Sequence, residues 1–262
     1  MVWYFQANDA SQINQFFKKI LTMKHLTRFL LTTMSLFLVA GTFAQTADEV
    51  IAKHLDAIGG KDKIKSVTSV KMDNSMTVMG NDAPSTSTLV VGKGVRVESD
   101  FNGQKMVQVV TDKGGWAINP MGGGTDPQAI PDDMYKQVKD QINYSPFIDY
   151  PANGSKAVLT GKEKVGTADA FKLDVTNKDN IATSYFIDPT TYFIVKMVKK
   201  ASMMGQEMEV STTYSDFKKT DFGVTIPYTT DIDYGGQFQM TSKVKKAEFN
   251  TPVNASIFEM KK

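Results

Sequence analysis

The chain has 262 residues, enough for one large domain or two small ones, with a formal charge of +2 and no cysteine. The missing cysteine excludes a disulfide framework, a thiol nucleophile, a cysteine zinc site and a lipidated N-terminal cysteine. There are two histidines, His25 and His54, so acid–base chemistry would fall mainly on carboxylates.

Met23 to Arg28 is a basic stretch, Phe29 to Ala40 is apolar, and Thr42-Phe43-Ala44 places small residues at −3 and −1 of a cleavage site. Residues 23–44 read as a cleaved secretory signal, too short to span a membrane. Residues 1–22 precede a proper signal start and read as an upstream extension, with Met23 as the initiator. Removing residues 1–44 takes away Lys18, Lys19, Lys24, Arg28 and Asp9, leaving 26 basic and 27 acidic residues. The remainder is near neutral without a polybasic run, which argues against nucleic acid or an anionic membrane surface as partner.

The mature chain opens with a predicted helix. Thr46 and Glu49 have capping-box spacing, Val50, Ile51, His54, Leu55 and Ile58 form one apolar stripe, and Gly59-Gly60 stops it. His54 lies on that stripe without a partnering nucleophile and reads as a packing histidine. Strands follow from Val67. Val70, Met72, Met76 and Val78 share a face, and a second strand carries Leu89 and Val91. Val95 and Val97 then alternate with Arg96 and Glu98, and Asn102-Gly103 turns into Met106 to Thr111. After the turn at Asp112 to Gly115, Trp116 and Ile118 share a face. Gly122-Gly123-Gly124 reads as a loop and Asp126-Pro127 as turn chemistry. No Gly-Lys-Ser/Thr follows the glycines, so they are no phosphate loop, and no cofactor is expected. Pro131-Asp132-Asp133 starts a second helix with Tyr135, Val138 and Ile142 at helical spacing, ended by Pro146. Sheet resumes at Val158, with Phe171, Leu173 and Val175 alternating after the Gly166-Thr167 turn. From Phe186 to Phe258 the chain reads as one meander. It carries turns at Asp188 to Thr191, Gly205 and Gly235-Gly236, alternation through Val195, Met197, Met208 and Val210, and a polar closing segment.

Roughly ten antiparallel strands counted this way cannot stay flat. Two helices of about 12 residues are each about 18 Å long and cannot cover the sheet's apolar face. Either the sheet closes into a sandwich or barrel, or it stays open around an apolar hollow with the helices as a partial lid. The inferred lining is Met72, Met76, Leu89, Val91, Met106, Trp116, Ile118, Phe171, Leu173, Phe186, Val195, Met197, Met208 and Val210, with Tyr135, Val138 and Ile142 from the lid helix. Methionine suits either an irregular core or a wall that re-packs around varied ligands. Asp132-Asp133 and Glu207/Glu209 read as helix-start charge and a solvated strand face, so no catalytic or metal-binding residue is assigned.

A resemblance narrows these alternatives. Val110-Thr111-Asp112-Lys113-Gly114-Gly115-Trp116-Ala117-Ile118-Asn119-Pro120 looks like a hairpin of the LolA-like outer-membrane lipoprotein-sorting proteins, the periplasmic lipoprotein carriers. Leu89 to Glu98 is similar to a strand of that family, and Phe186 to Thr190 to another hairpin. Tyr214 to Phe217, Val224 to Pro227 and Asn250-Thr251-Pro252 closing on Phe258 resemble its C-terminal strands. The resemblance implies an α+β fold in which residues 45–262 form a single domain. That domain would be a curved antiparallel sheet forming an open half-barrel, with an N-terminal helix and a lid helix near the concave face, hinged at Gly122 to Gly124. It implies a monomeric periplasmic carrier or binding protein for acyl chains of lipids or lipoproteins, with envelope donor and acceptor proteins as partners. Such a protein is neither an enzyme nor an integral membrane protein once its signal is cleaved. Gly94 and Val95 stand where the family usually has proline, Lys93 stands near the basic residue that holds its lid, and the missing cysteine separates this chain from the membrane-anchored acceptors. The rival readings are a sensor or assembly module on the same scaffold and an envelope hydrolase, for which no nucleophile–base pair is in evidence.

Overall fold

The computed structural model describes residues 45–260 except residues 79, 102, 121–123 and 204–205. The expected signal and the segment before it lie outside the described residues, as do Gly122, Gly123, Asn102 and Gly205. Helix α1 (Ala47–Ala57) starts as its sequence predicts. Glu49 N–H donates to Thr46 Oγ1 at 3.2 Å and Thr46 N–H donates to Glu49 Oε2 at 3.1 Å, so two donors that a helix start leaves open are satisfied reciprocally. Gly59 and Gly60, at φ of 132° and 93°, take conformations that disfavour other residues and end the turn. A second helix, α2 (Lys61–Lys65), follows, too short to show a periodicity in the sequence.

Thirteen described strands then form one antiparallel sheet. They are β1 (Ser69–Val78), β2 (Asn81–Val90), β3 (Gly94–Phe101), β4 (Gln104–Thr111), β5 (Gly114–Asn119), β6 (Gly124–Ala129), β7 (Lys156–Val165), β8 (Ala168–Thr176), β9 (Ala182–Ile187), β10 (Ile194–Met203), β11 (Gln206–Lys219), β12 (Thr225–Tyr234) and β13 (Gln239–Phe249). Their spatial order is β6-β5-β4-β3-β2-β1-β13-β12-β11-β10-β9-β8-β7, with β6 and β7 as free edges, so the sheet is open. The Gly124–Ala129 segment, expected as loop and turn, is the edge strand β6. Pro127 is tolerable there because an edge strand has one side with no ladder to donate to.

This order sets the course of the chain. It runs outward by hairpins from β1 to β6, crosses once to the opposite edge, and returns from β7 to β13, which pairs with β1 through Val70 and Phe249 and through Met72 and Ala247. Flat, such a sheet would be about 58 Å wide at ~4.8 Å per strand. It curls instead. Register irregularities at Asp73/Asn74, Ala117/Asn119, Leu159/Gly161 and Ile194/Lys196 each add local twist.

Directly paired residues share a face, so the register assigns every strand position. The face of Val70, Met72, Met76 and Val78 carries the helices and is called inner. On it, Val50, Ile51 and Leu55 of α1 pack on Phe171, Leu173, Val175 and Ile187, joined by Phe147 from the crossing segment. Ile64 of α2 packs with Val67, Val70, Val224 and Ile226. On the outer face, the 3-10 turn Ala255–Phe258 sets Phe258 against Val107, Val109 and Trp116. Trp116 Nε1–H donates to Phe258 O at 2.9 Å, and Arg96 Nη1–H to Ile257 O at 2.8 Å. Among the described residues no helix is long and apolar enough to cross a membrane.

His54 is 4% exposed, stands edge-on to Phe147 at 5.4 Å, and has its Nδ1 2.8 Å from Tyr192 O, which makes Nδ1 the protonated nitrogen of the neutral ring. Burial pushes its pKa down, with the Tyr192 contact opposing the shift more weakly. The unfolded chain therefore takes up this proton near pH ~6.5 while the folded chain does so only at lower pH. That contribution to stability is present above about pH 6.5 and is lost as pH falls. Melting temperature should drop between about pH 7 and pH 5, and His54→Leu should flatten that slope. An unchanged slope in the variant would assign the effect to carboxylates.

Candidate functional site

The crossing segment, residues 130–155, leaves β6 at one edge and must reach β7 at the other, so it passes over the inner face. It contains helix α3 (Asp132–Val138), with Asp132 and Asp133 placed favourably at its N-terminal end. The helix ends before the expected Pro146. Lys139–Ile142 tightens to a 3-10 turn and Asn143 is already extended at φ −96° and ψ 135°.

The segment is tied down along its length. Tyr135 Oη–H donates to Thr111 O at 2.8 Å, and Gly92 N–H donates to Ile142 O at 2.9 Å. Asp140 accepts from Asn177 Nδ2–H at 2.7 Å, and Lys139 pairs with Asp179. Further on, Asp149 pairs with Lys65 at 2.7 Å, Tyr150 donates to Asp48, and Phe147 is 2% exposed in the core beneath α1. Lys93 is exposed; the contact to the crossing segment at that turn comes from the backbone of its neighbour Gly92.

Beneath this strap lies a half-open hollow of about 1110 Å³, at or above the ~300–1,000 Å³ typical of small-molecule sites. Its floor is the inner face of β8 to β11, with Val175, Thr183, Tyr185, Ile194, Met197, Lys199 and Tyr214; its roof includes Tyr135, Ile142 and Pro146. Burial pushes the Tyr214 phenol up to about 12 and raises that of Tyr185 as well, so both stay protonated at neutral pH. Tyr214 Oη lies 3.9 Å from Met197 Sδ. Among the described residues no three His, Asp or Glu side chains are grouped to hold a metal ion. Asp132, Asp133, Glu207 and Glu209 are exposed.

Of the lining expected from sequence, Tyr135, Ile142 and Met197 come together around this hollow. Val138 is half-buried on α3. Met72, Leu89 and Val91 pack against the cluster beneath α2. Phe171 and Leu173 are enclosed beneath α1. Met76, Met106, Met208 and Val210 share the inner face through their cross-strand partners, beyond the hollow's wall.

The remaining four need correction. Trp116 and Ile118 pair with Val109 and Val107 and face outward, into the filled cluster around Phe258. Phe186 also faces outward, between Lys172 and Lys196, whose ammonium groups stand 5.7 and 5.5 Å from its ring centre. Its neighbours Tyr185 and Ile187 take the inward positions, opposite Leu173 and Phe171. Val195 falls at the register shift between Ile194 and Lys196, and that extra residue turns Ile194 inward in its place. The residues missed by sequence reasoning, chiefly Tyr185, Lys199 and Tyr214, were available from alternation once Met197 was placed inward. The strap that roofs them gives no sequence signal of where it lies.

An open antiparallel half-barrel with short helices at its inner face and one strap across it is a LolA-like fold. Solved structures superpose over most of the chain. A LolA superfamily protein from Nitrosomonas europaea matches with a TM-score of 0.54 at 12% identity, covering 82% of this chain and 98% of that one. A domain assigned as an outer membrane lipoprotein-sorting protein from Vibrio parahaemolyticus gives 0.53 at 12% identity, with 81% and 97% covered. A DUF1329 family protein from Desulfovibrio piger ATCC 29098 gives 0.52 at 12% identity, also with 81% and 97% covered. No family model and no curated protein sequence matches.

The Tyr135 hydroxyl is the side-chain tether of α3 to β4. Tyr135→Phe should cost about 0.5–1.5 kcal/mol of local stability. Amide hydrogen exchange should show this as faster exchange through residues 132–142 with α1 unaffected. Unchanged exchange would remove the tether from the account.

Proposed function

We infer that this protein carries or binds acyl chains of lipids or lipoproteins in the bacterial periplasm, as a carrier and not an enzyme, reached through the secretory segment at residues 23–44. The observation that carries the reading is the half-open hollow of about 1110 Å³ between the strap and the inner sheet face. Beyond it on the same face stand the half-buried methionines Met76, Met208 and Met240, with Thr212, Thr230 and Ser242 among them. An acyl chain costs about 0.8 kcal/mol for each methylene left in water, so it crosses an aqueous compartment only if shielded. A wall with methionine side chains adapts to chains of different length at little cost in packing.

The strap supplies the movable part. Its first half is held by the Gly92–Ile142 and Tyr135–Thr111 hydrogen bonds, each worth about 0.5–1.5 kcal/mol net, and by the Lys139–Asp179 pair. Its second half is anchored by buried Phe147. Unequal anchoring makes residues 131–142 the part that lifts and residues 147–150 the part that stays. The lipoprotein-sorting and LolA names of the similar structures support the same reading. The functional unit is a monomer, with donor and acceptor proteins of the envelope as further partners.

Native mass spectrometry of protein purified from the periplasm, followed by lipid extraction, tests this. The wild type should carry an acyl ligand, and Ile142→Asp or Ile181→Asp, at two residues that line the hollow, should lose it while keeping the far-UV spectrum, because a carboxylate in the wall must be desolvated against the chain. A wild type that arrives empty and takes up no long-chain acyl compound in vitro would defeat the reading.

A further inference from the structure

Strand β10 carries three lysines, and they do not behave alike. Lys196 lies on the outer face over Phe186, and Lys200 is exposed. Lys199 points to the inner face, where its cross-strand neighbours are Thr183 on β9 and Val210 on β11, and it lines the hollow. Lys139, in the same wall, is paired with Asp179. Lys199 makes no hydrogen bond and no ion pair among the described residues. Neither carboxylate of the wall pairs with Lys199: Asp140 accepts from Asn177 and stands near enough to Tyr185 to help burial raise its pKa, and Asp112 belongs to the β4–β5 turn. Burial alone pushes the Lys199 ammonium pKa down, and no nearby carboxylate offsets it.

An ammonium taken partly out of water without a counter-charge is destabilising, and a strand places a lysine outward wherever its register allows. Two phenols stand on the same sheet floor. Tyr185 has no hydrogen-bond partner among the described residues, and Tyr214 has only the Met197 thioether. The result on the floor is a cation and two protonated phenols beside Val175, Thr183, Ile194 and Met197, with the Tyr185 hydroxyl proton unspent and that of Tyr214 given only to a thioether, a weak acceptor. Exposed Lys178 and the strap amides Gln137, Gln141 and Asn143 also line the wall.

We propose that Lys199 binds the acidic head group of an amphiphile, a carboxylate or phosphate oxygen, while the ligand's apolar chain lies along the hollow. This rests on the acyl-binding reading and narrows it: the ligand class is an anionic lipid, not a neutral one. Tyr185 and Tyr214 donate to the same head group from the strands on either side.

The test is equilibrium binding by the purified protein of hexadecanoate, hexadecyl phosphate, hexadecan-1-ol and inorganic phosphate, with the wild type, Lys199→Met, Lys199→Gln and Lys199→Arg. The wild type should bind both acids about tenfold or more tightly than the alcohol, as a charge-assisted hydrogen bond in a partly dry site provides. Lys199→Met and Lys199→Gln should lose that preference and keep alcohol binding, which also shows that they fold; Lys199→Arg should keep it. The tighter of the two acids identifies the head group. Equal binding of acids and alcohol by the wild type, or an acid preference that survives Lys199→Met, overturns the assignment of Lys199 and leaves acyl binding standing. Inorganic phosphate bound as tightly as hexadecyl phosphate overturns the amphiphile. Failure of all three chain compounds to bind overturns both readings.

Discussion

The pairing of β1 with β13 is the constraint from which the rest follows. It places the first and last strands side by side in the middle of the sheet. The two remaining meanders must then run outward to opposite edges, and one connection has to cross the whole sheet between them. That connection cannot run over the outer surface of β3 and β4, because the C-terminal 3-10 turn fills it with Phe258. It crosses the inner face, and a chain stretched over a curled sheet encloses space beneath it.

How much of that space is filled is decided by the helices. At one side α1 and Phe147 close over β8 and β9, and at the other α2 closes over β1 and the start of β12. Both clusters are dry and packed from their own side chains, which supplies the apolar burial that an open sheet needs. Around the hollow the strap is held through the Tyr135 hydroxyl, the Asn177 amide and the Lys139–Asp179 ion pair, groups that tolerate water. The inner face is therefore tightly packed at the middle of the sheet and again toward its β7 edge and loosely closed between these two clusters, and Lys199 stands in the loosely closed part.

Local signals in the sequence were reliable where the physics is local. The Thr46–Glu49 capping box, the Asp188 turn, whose carboxylate accepts from Thr190 and Thr191 N–H, and the hairpin at Gly235-Gly236 are all formed as expected. The large antiparallel sheet and the shortage of helix to cover it were legible from strand count and helix length, while its staying open was favoured only by the family resemblance. The candidate site was legible only in part, for two physical reasons. Alternation has two phases, and nothing near Phe186 or Trp116 says which is inward; the lysines that cover Phe186 come from two other strands. A single inserted residue, as at Val195, reverses the phase without changing composition. The hollow itself depends on residues 130–155 lying against β8 to β11, a contact between segments that share no pattern.

The seam between β1 and β13 also governs how the molecule is assembled. Every other strand pair joins neighbours in the chain and closes a short loop, so each meander is able to zip up by itself as hairpins form. The central ladder joins residues separated by most of the domain and must bear the entropy of closing that long loop. Nucleation is thus cheap on both flanks and slow at the midline, and the last-made strand is the one that completes the sheet. Until it does, the unpaired edge of β1 offers its backbone groups to any other extended chain, which makes the freshly released polypeptide most vulnerable to mispairing at its centre and not at its rims.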